Sequence, residues 1–175
     1  MFIGESRARE NRSPDLDAID LRILDAVQQD ARRSRADVGR EVGLSTAAVH
    51  ERIRKLERAG VIRGYAALLD PHLAGCDLLA FVEVFIDHPT HEPAFFEAIA
   101  DMSQIQECHR VTGAATCLLK VRVADRHALQ RLILDRINAM SGVRGTETVV
   151  VLSTTKETPR LHLDRTNGAQ QGART

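Results

Sequence analysis

The spacing of apolar residues changes period once along this chain, and that change limits how it can fold. Up to Gly64 they recur every three or four positions, the spacing of helices that each bury one face. From Leu78 they alternate in "LLAFVEVFID", the spacing of a half-buried strand. With 175 residues, of which 43% are hydrophobic, the chain has apolar surface enough for one ordinary domain or two small ones. The change of period favours two.

The first part reads as three helices. Asp17 stands at an N-cap position, and Ile23, Leu24 and Val27 form an apolar side that ends near Asp30. Ser34 and Asp37 resemble a capping box opening a short second helix, with Ala36, Val38 and Val42 inward. Gly43 supplies a tight turn, Leu44 an inward anchor and Ser45 the next N-cap. In the third helix Val49, Ile53 and Leu56 share one stripe, which Gly60 continues. Ala47, Glu51, Arg54 and Arg58 point nearly the opposite way, with Lys55 beside them and Arg52 on the flank.

A cationic amphipathic helix by itself reads as a solvated face. Two helices and a glycine turn ahead of it change the reading to a helix-turn-helix, whose last helix enters a DNA major groove. Ser45 and Thr46 then lie where hydroxyls and helix N-terminal amides meet a phosphate. Ala47, His50, Glu51 and Arg54 are best placed for base edges: Arg54 to take a guanine bidentately, Glu51 to accept from a cytosine. Arg52, Lys55, Arg58 and Arg63 are expected to meet phosphates or to pair within the protein. The net charge of zero, from 24 basic and 24 acidic residues, gives no global pull toward DNA. The local balance has the expected sign: thirteen basic residues face eleven acidic ones up to Gly64, which leaves eleven and thirteen of the 24 and 24 beyond it.

After a linker over 65–77 containing "DPHLAG", the second part begins with the strand at 78–87. Glu92–Met102 places Phe95, Ile99 and Met102 at helical spacing; "IQECHRVTG" and "CLLKVRV" read as strands joined by a tight Gly-Ala-Ala turn. Asp125 caps a helix with Leu129, Leu132, Ile133, Ile137 and Met140 on one side, and "GV" leads into a last strand, "TETVVVLST". The order βαββαβ predicts an α+β fold: an N-terminal three-helix helix-turn-helix domain (15–64) joined to a ferredoxin-like domain (78–163) with four antiparallel strands under two helices. The uncovered sheet face, carrying residues such as Phe81, Phe85 and Val149, is expected to be buried in a dimer. Residues 1–14 and 164–175 are polar and are expected to form a flexible arm and tail.

Other chemistries find little support. The start of the chain lacks the apolar core of a signal peptide, and no run approaches the roughly 18 apolar residues of a membrane span, which points to the cytoplasm. Cys76, Cys108 and Cys117 have no metal-like spacing and read as reduced, buried small hydrophobes. His88 and His91 beside Glu92 want a third and fourth ligand, so a polar loop entering a helix is the simpler account. With no nucleophile elbow, phosphate-binding glycine loop or catalytic dyad, no enzyme, metal or cofactor is expected.

Taken together, "LDAIDLRILDAVQQDARRS", "VGLSTAAVHERIRKLERAGVI" and "GYAALLDPHLAG", followed by "IQECHRVTG", "LLKVRV" and "GVRGTETVVVLSTTKE", resemble the Lrp/AsnC (leucine-responsive, or feast/famine) family of transcriptional regulators. The resemblance runs from about Leu16 to Leu163. It implies a nucleoid-associated protein that binds double-stranded DNA, dimerises through its sheets and assembles into tetramers, octamers or larger. It also implies a small-molecule effector, usually an amino acid, bound between dimers. Carried onto this chain, the effector loop is Thr112, Gly113, Ala114, Ala115 and Thr116, faced by Thr148, Val149 and Val151 of the last strand. Relatives with amino-acid effectors have an acidic residue and then an aromatic one where this chain has Thr116 and Cys117. A carboxylate there pairs with an ammonium, a bond worth about 1.5–3 kcal/mol. Its loss leaves three readings open: a different effector, weaker amino-acid sensing, or none. An effector-independent architectural DNA-binding protein is the alternative function.

Overall fold

The computed structural model describes residues 15–163; the expected arm and tail lie outside them. Two units appear among these residues. One holds the residues up to Ala67 together with those from Glu157 onward, and the other is Leu68–Lys156. The second unit therefore begins and ends earlier than the 78–163 expected: it takes in the chain from Leu68, and after the last strand the chain returns to the helical unit.

The helical unit contains α1 (Ala18–Gln29), α2 (Arg35–Val42) and α3 (Thr46–Arg58). Each start is capped by the short polar side chain expected: Asp17 accepts from the Asp20 amide, Ser34 from that of Asp37 and Ser45 from that of Ala48. The reciprocal capping box lies at α1, where the Asp20 carboxylate also accepts from the Asp17 amide. At α2, Asp37 instead takes the Ser34 hydroxyl proton. Gly43 turns with a left-handed φ of 77°, the conformation that a tight α2–α3 turn requires. Gly60 does not continue the apolar stripe. It lies beyond α3 at φ 69° and closes a Schellman cap, with the Gly60 amide donating to Glu57 and the Val61 amide to Leu56. Ile23, Leu24, Val27, Val38, Val42, Val49, Ile53 and Leu56 form the core of this unit, and Leu163 packs against it. Gln28 fastens the returning segment by exchanging two hydrogen bonds with the Leu161 backbone.

The other unit is built from β1 (Leu78–Ile86), α4 (Glu92–Ala100), β2 (Ile105–Arg110), β3 (Cys117–Val123), α5 (Arg126–Arg131) and β4 (Val143–Val150). The antiparallel sheet has the order β2-β3-β1-β4, a ferredoxin-like βαββαβ arrangement. Ala80, Val82 and Val84 of β1 and Cys117, Leu119, Val121 and Val123 of β3 point to the helix side, where they pack on Phe95, Ile99, Leu129, Leu132 and Ile137. Three local predictions change. The expected tight turn between β2 and β3 is a six-residue loop, Val111–Thr116. The helix after Asp125 does not stay α-helical: from Leu132 to Ile137 it widens into a π-helix. An α-helical turn after Leu132 would bring Asp135 and Arg136 to the sheet. The wider turn buries Ile137 instead, with the Asn138 amide reaching Ile133. The last strand also starts and ends earlier than expected, at Val143 and Val150.

Candidate nucleic-acid interface and effector loop

The inner side of α3 is closed, since Val49, Ile53 and Leu56 are almost fully buried. The outer side is open: Ser45, Thr46, Ala47, His50, Glu51, Arg54, Lys55 and Arg58 are all exposed. Ser45 accepts the Ala48 amide at 3.2 Å and keeps its own hydroxyl proton for an outside acceptor. Lys55 and Arg58 lie in the last turn, where cations complement the helix dipole.

Arg52 is placed differently from the other cations. Its Nη1 donates to Asp17 Oδ2 at 2.6 Å and Asp20 Oδ1 at 2.7 Å, so it meets both carboxylates of the α1 capping box. Asp20 is only 2% exposed, and Arg52 is its charge partner. Of the two roles foreseen for Arg52, intramolecular pairing is the one this geometry uses. The two hydrogen bonds hold its guanidinium above the ordinary arginine range, against the opposing effect of burial. Burial alone would raise the Asp17 carboxyl, but the Asp20 amide and Arg52 outweigh it and lower the net value.

In the second unit, Thr112, Gly113 and Ala114 are exposed, whereas Ala115 is buried. Thr116 is sewn to β1: its amide donates to Val84 at 2.8 Å, and its Oγ1 accepts from the Ile86 amide at 3.0 Å. Thr148, Val149 and Val151 lie elsewhere. Thr148 pairs with Val82 and Val149 with Phe81, while the Val151 amide reaches Leu79 beyond the end of β4. Leu79 and Ile86 are seven positions apart on β1, so Val151 stands roughly 23 Å along the strand from the Thr116 hydroxyl's partner at strand rise. Within one chain, Val151 is therefore not brought to the loop, and β1 runs between Thr116 and Thr148. Thr148 also shares the helix side with Val82, opposite to Val149 and Val151.

Several groups fall outside both sites. His88 meets Thr90 and His91 meets Asp87, each through Nδ1, and among the described residues no cluster of three His, Cys, Asp or Glu side chains is arranged to hold a metal. Among these residues no helix is long and apolar enough to cross a membrane. Cysteine burial departs from expectation: Cys117 is buried, but Cys76 and Cys108 are exposed. Sequence reasoning missed the pairing of Gln28 with Leu161, since nothing in spacing or composition joins residues so far apart.

The comparisons with known proteins agree with this geometry. Residues 16–57 match the AsnC-type helix-turn-helix domain and residues 79–161 the Lrp/AsnC ligand binding domain. A leucine-responsive regulatory protein of Klebsiella pneumoniae is 40% identical over 156 residues, spanning 88% of this chain and 95% of that protein. A transcriptional regulator of Neisseria meningitidis, solved in complex with L-Met, superposes with a TM-score of 0.82 at 30% identity, covering 85% of this chain and 97% of that one. A feast or famine regulatory protein of M. tuberculosis, complexed with L-methionine, superposes at 0.78 with 31% identity over 85% and 99% of the two chains.

Proposed function

This chain belongs to the Lrp/AsnC family of transcriptional regulators, and from that premise we propose a DNA-binding regulator that assembles from dimers into larger oligomers and responds to a small metabolite of the amino-acid class. The observation that carries the DNA reading is the division of α3 into a buried apolar side and an exposed side bearing Ala47, His50, Glu51, Arg54, Lys55 and Arg58. Such a helix offers base-reading groups from its N-terminal half and phosphate-neutralising cations from its last turn. Arg54 and Glu51 read bases, Ser45, Thr46, Lys55 and Arg58 meet phosphates, and Arg52 braces the helix against α1.

Two features support an effector site, one bearing on its place and the other on its ligand. Within one chain β1 runs between Thr116 and Thr148, and Val151 lies at the far end of that strand, which suits a site that draws the loop and the last strand from different copies. Both solved relatives above hold methionine. One observation favours the architectural, effector-independent reading: Thr116 offers no carboxylate for an ammonium, and its oxygen already accepts from Ile86.

Binding to upstream and random duplexes at several salt concentrations, with and without a panel of amino acids, separates the two readings. The regulator predicts specific binding at least about a thousandfold tighter than random at fixed salt, shifted by one of the ligands. It also predicts that Arg58→Ala lowers the salt slope by about one. Near-equal binding to both duplexes and indifference to every ligand would leave the architectural protein.

A further inference from the structure

Cys108 and Cys117 stand on adjacent strands at the two ends of the loop segment, Cys108 in β2 and Cys117 at the start of β3. The register pairs Cys108 with Leu119 and Arg110 with Cys117, so both cysteines project to the helix side of the sheet as diagonal neighbours. Diagonal neighbours on one face of an antiparallel pair are close enough for their side chains to interact. One partner, Cys108, is exposed, and the other is fully buried. We propose that Cys108 and Cys117 form an oxidisable dithiol that, on reaction with a hydroperoxide, becomes a disulfide joining β2 to β3 across the base of the loop Val111–Thr116.

The surroundings divide the two roles. The Cys117 S–H donates to the Cys108 sulfur and lowers the Cys108 pKa, burial opposes this, and the charges of His109 and Arg110 add to the lowering. The same hydrogen bond, burial and nearby Glu92 push the Cys117 thiol up, so it keeps its proton. Cys108, open to solvent, is then the attacking thiolate, and Cys117, closed off from it, the resolving thiol. In the first step the Cys108 sulfur takes the distal oxygen of the hydroperoxide; the O–O bond breaks and an alcohol or water leaves, so sulfur is oxidised by two electrons to a sulfenic acid as the peroxide is reduced. In the second, the Cys117 sulfur displaces hydroxide from the Cys108 sulfur, its proton leaves with that hydroxide as water, and the S–S bond forms. The bond closes a short ring around the loop, so its formation changes the freedom of Thr112–Thr116 whichever effector reading holds.

The test uses the full-length reduced protein, treated with hydrogen peroxide, alkylated and digested without reduction. The expected result is loss of two thiols per chain and a peptide cross-linked from Cys108 to Cys117 within one chain. In Cys117→Ser, and in Cys117→Ala as the better-packing variant of this buried position, Cys108 is expected to stop at a dimedone-reactive sulfenic acid. In Cys108→Ser, Cys117 is expected to stay a thiol. Amide hydrogen exchange over Val111–Thr116 should slow on oxidation and recover with dithiothreitol. Linkage of Cys108 to Cys76 or to another chain, over-oxidation of Cys108 beside an intact Cys117 thiol, or unchanged loop exchange after cross-linking would each overturn the proposal.

Discussion

Arg52 shows how one side chain divides its chemistry between fold and function. Sequence spacing places it on the flank of a cationic helix, where phosphate contact and internal pairing are both open. The two aspartates that cap α1 take it inward. Removing it leaves Asp20 buried without its charge partner, so Arg52→Ala is expected to destabilise the helical unit by about 2 kcal/mol. Urea unfolding followed by helix signal measures this; unchanged stability with weakened DNA binding would return Arg52 to a phosphate role. The pair also sets a pH dependence. The Asp17 pKa is lowered in the folded protein from an ordinary value of 3.8, so its contribution is fully present above that value and is lost as pH falls through the folded pKa. Acid unfolding of the helical unit therefore deepens below about pH 4, and Arg52→Ala should flatten that limb.

At the scale of elements, the α2–α3 turn brings backbone against backbone in the helical unit. The Leu44 amide donates to the Gly39 carbonyl at 2.9 Å, and a Cβ on Gly39 would lie 2.6 Å from the Leu44 carbonyl oxygen. Helix propensity favours alanine over glycine by about 1 kcal/mol, yet backbone cannot give way as a flexible side chain would. Gly39→Ala is expected to lower the melting temperature of the helical unit and to weaken DNA binding in parallel, as α3 is pushed from α2. A rise in melting temperature in calorimetry would show that propensity wins. The π-helical turn at Leu132–Ile137 follows the same logic with the opposite outcome: helical geometry yields there so that Ile137, not Asp135 or Arg136, reaches the core.

For the whole molecule, the uncovered sheet face is the main surface left to satisfy. Phe81 pairs with Val149 and with Lys120, and Glu83 with Leu118 and Glu147, so apolar and charged residues alternate along this face. Val149, a valine paired with Phe81 in the sheet, is 65% exposed. A second copy covering this face would bury it, and a carboxylate placed on it would then be costly to desolvate. Val149→Asp is accordingly expected to shift the protein toward monomer in light scattering with the fold intact by circular dichroism. An unchanged oligomer mass would move the interface elsewhere.

The sequence alone determined the elements whose cause is local. Caps at Asp17, Ser34 and Ser45, the left-handed turn at Gly43 and the two apolar periods each depend on residues within a few positions, so the helix-turn-helix and the βαββαβ order are legible without coordinates. The exposed side of α3 follows from the same periodicity. Tertiary structure decided what depends on partners distant in sequence: the capture of Arg52 by α1, the return of Leu161 and Leu163 to the helical unit, and the placing of Cys117 diagonally across from Cys108. It also decided that Thr116 spends its oxygen on Ile86 and stands far from Val151. Periodicity reports which face of an element is buried, but a hydrogen bond or an ion pair needs two groups brought together in space, and only the folded chain does that.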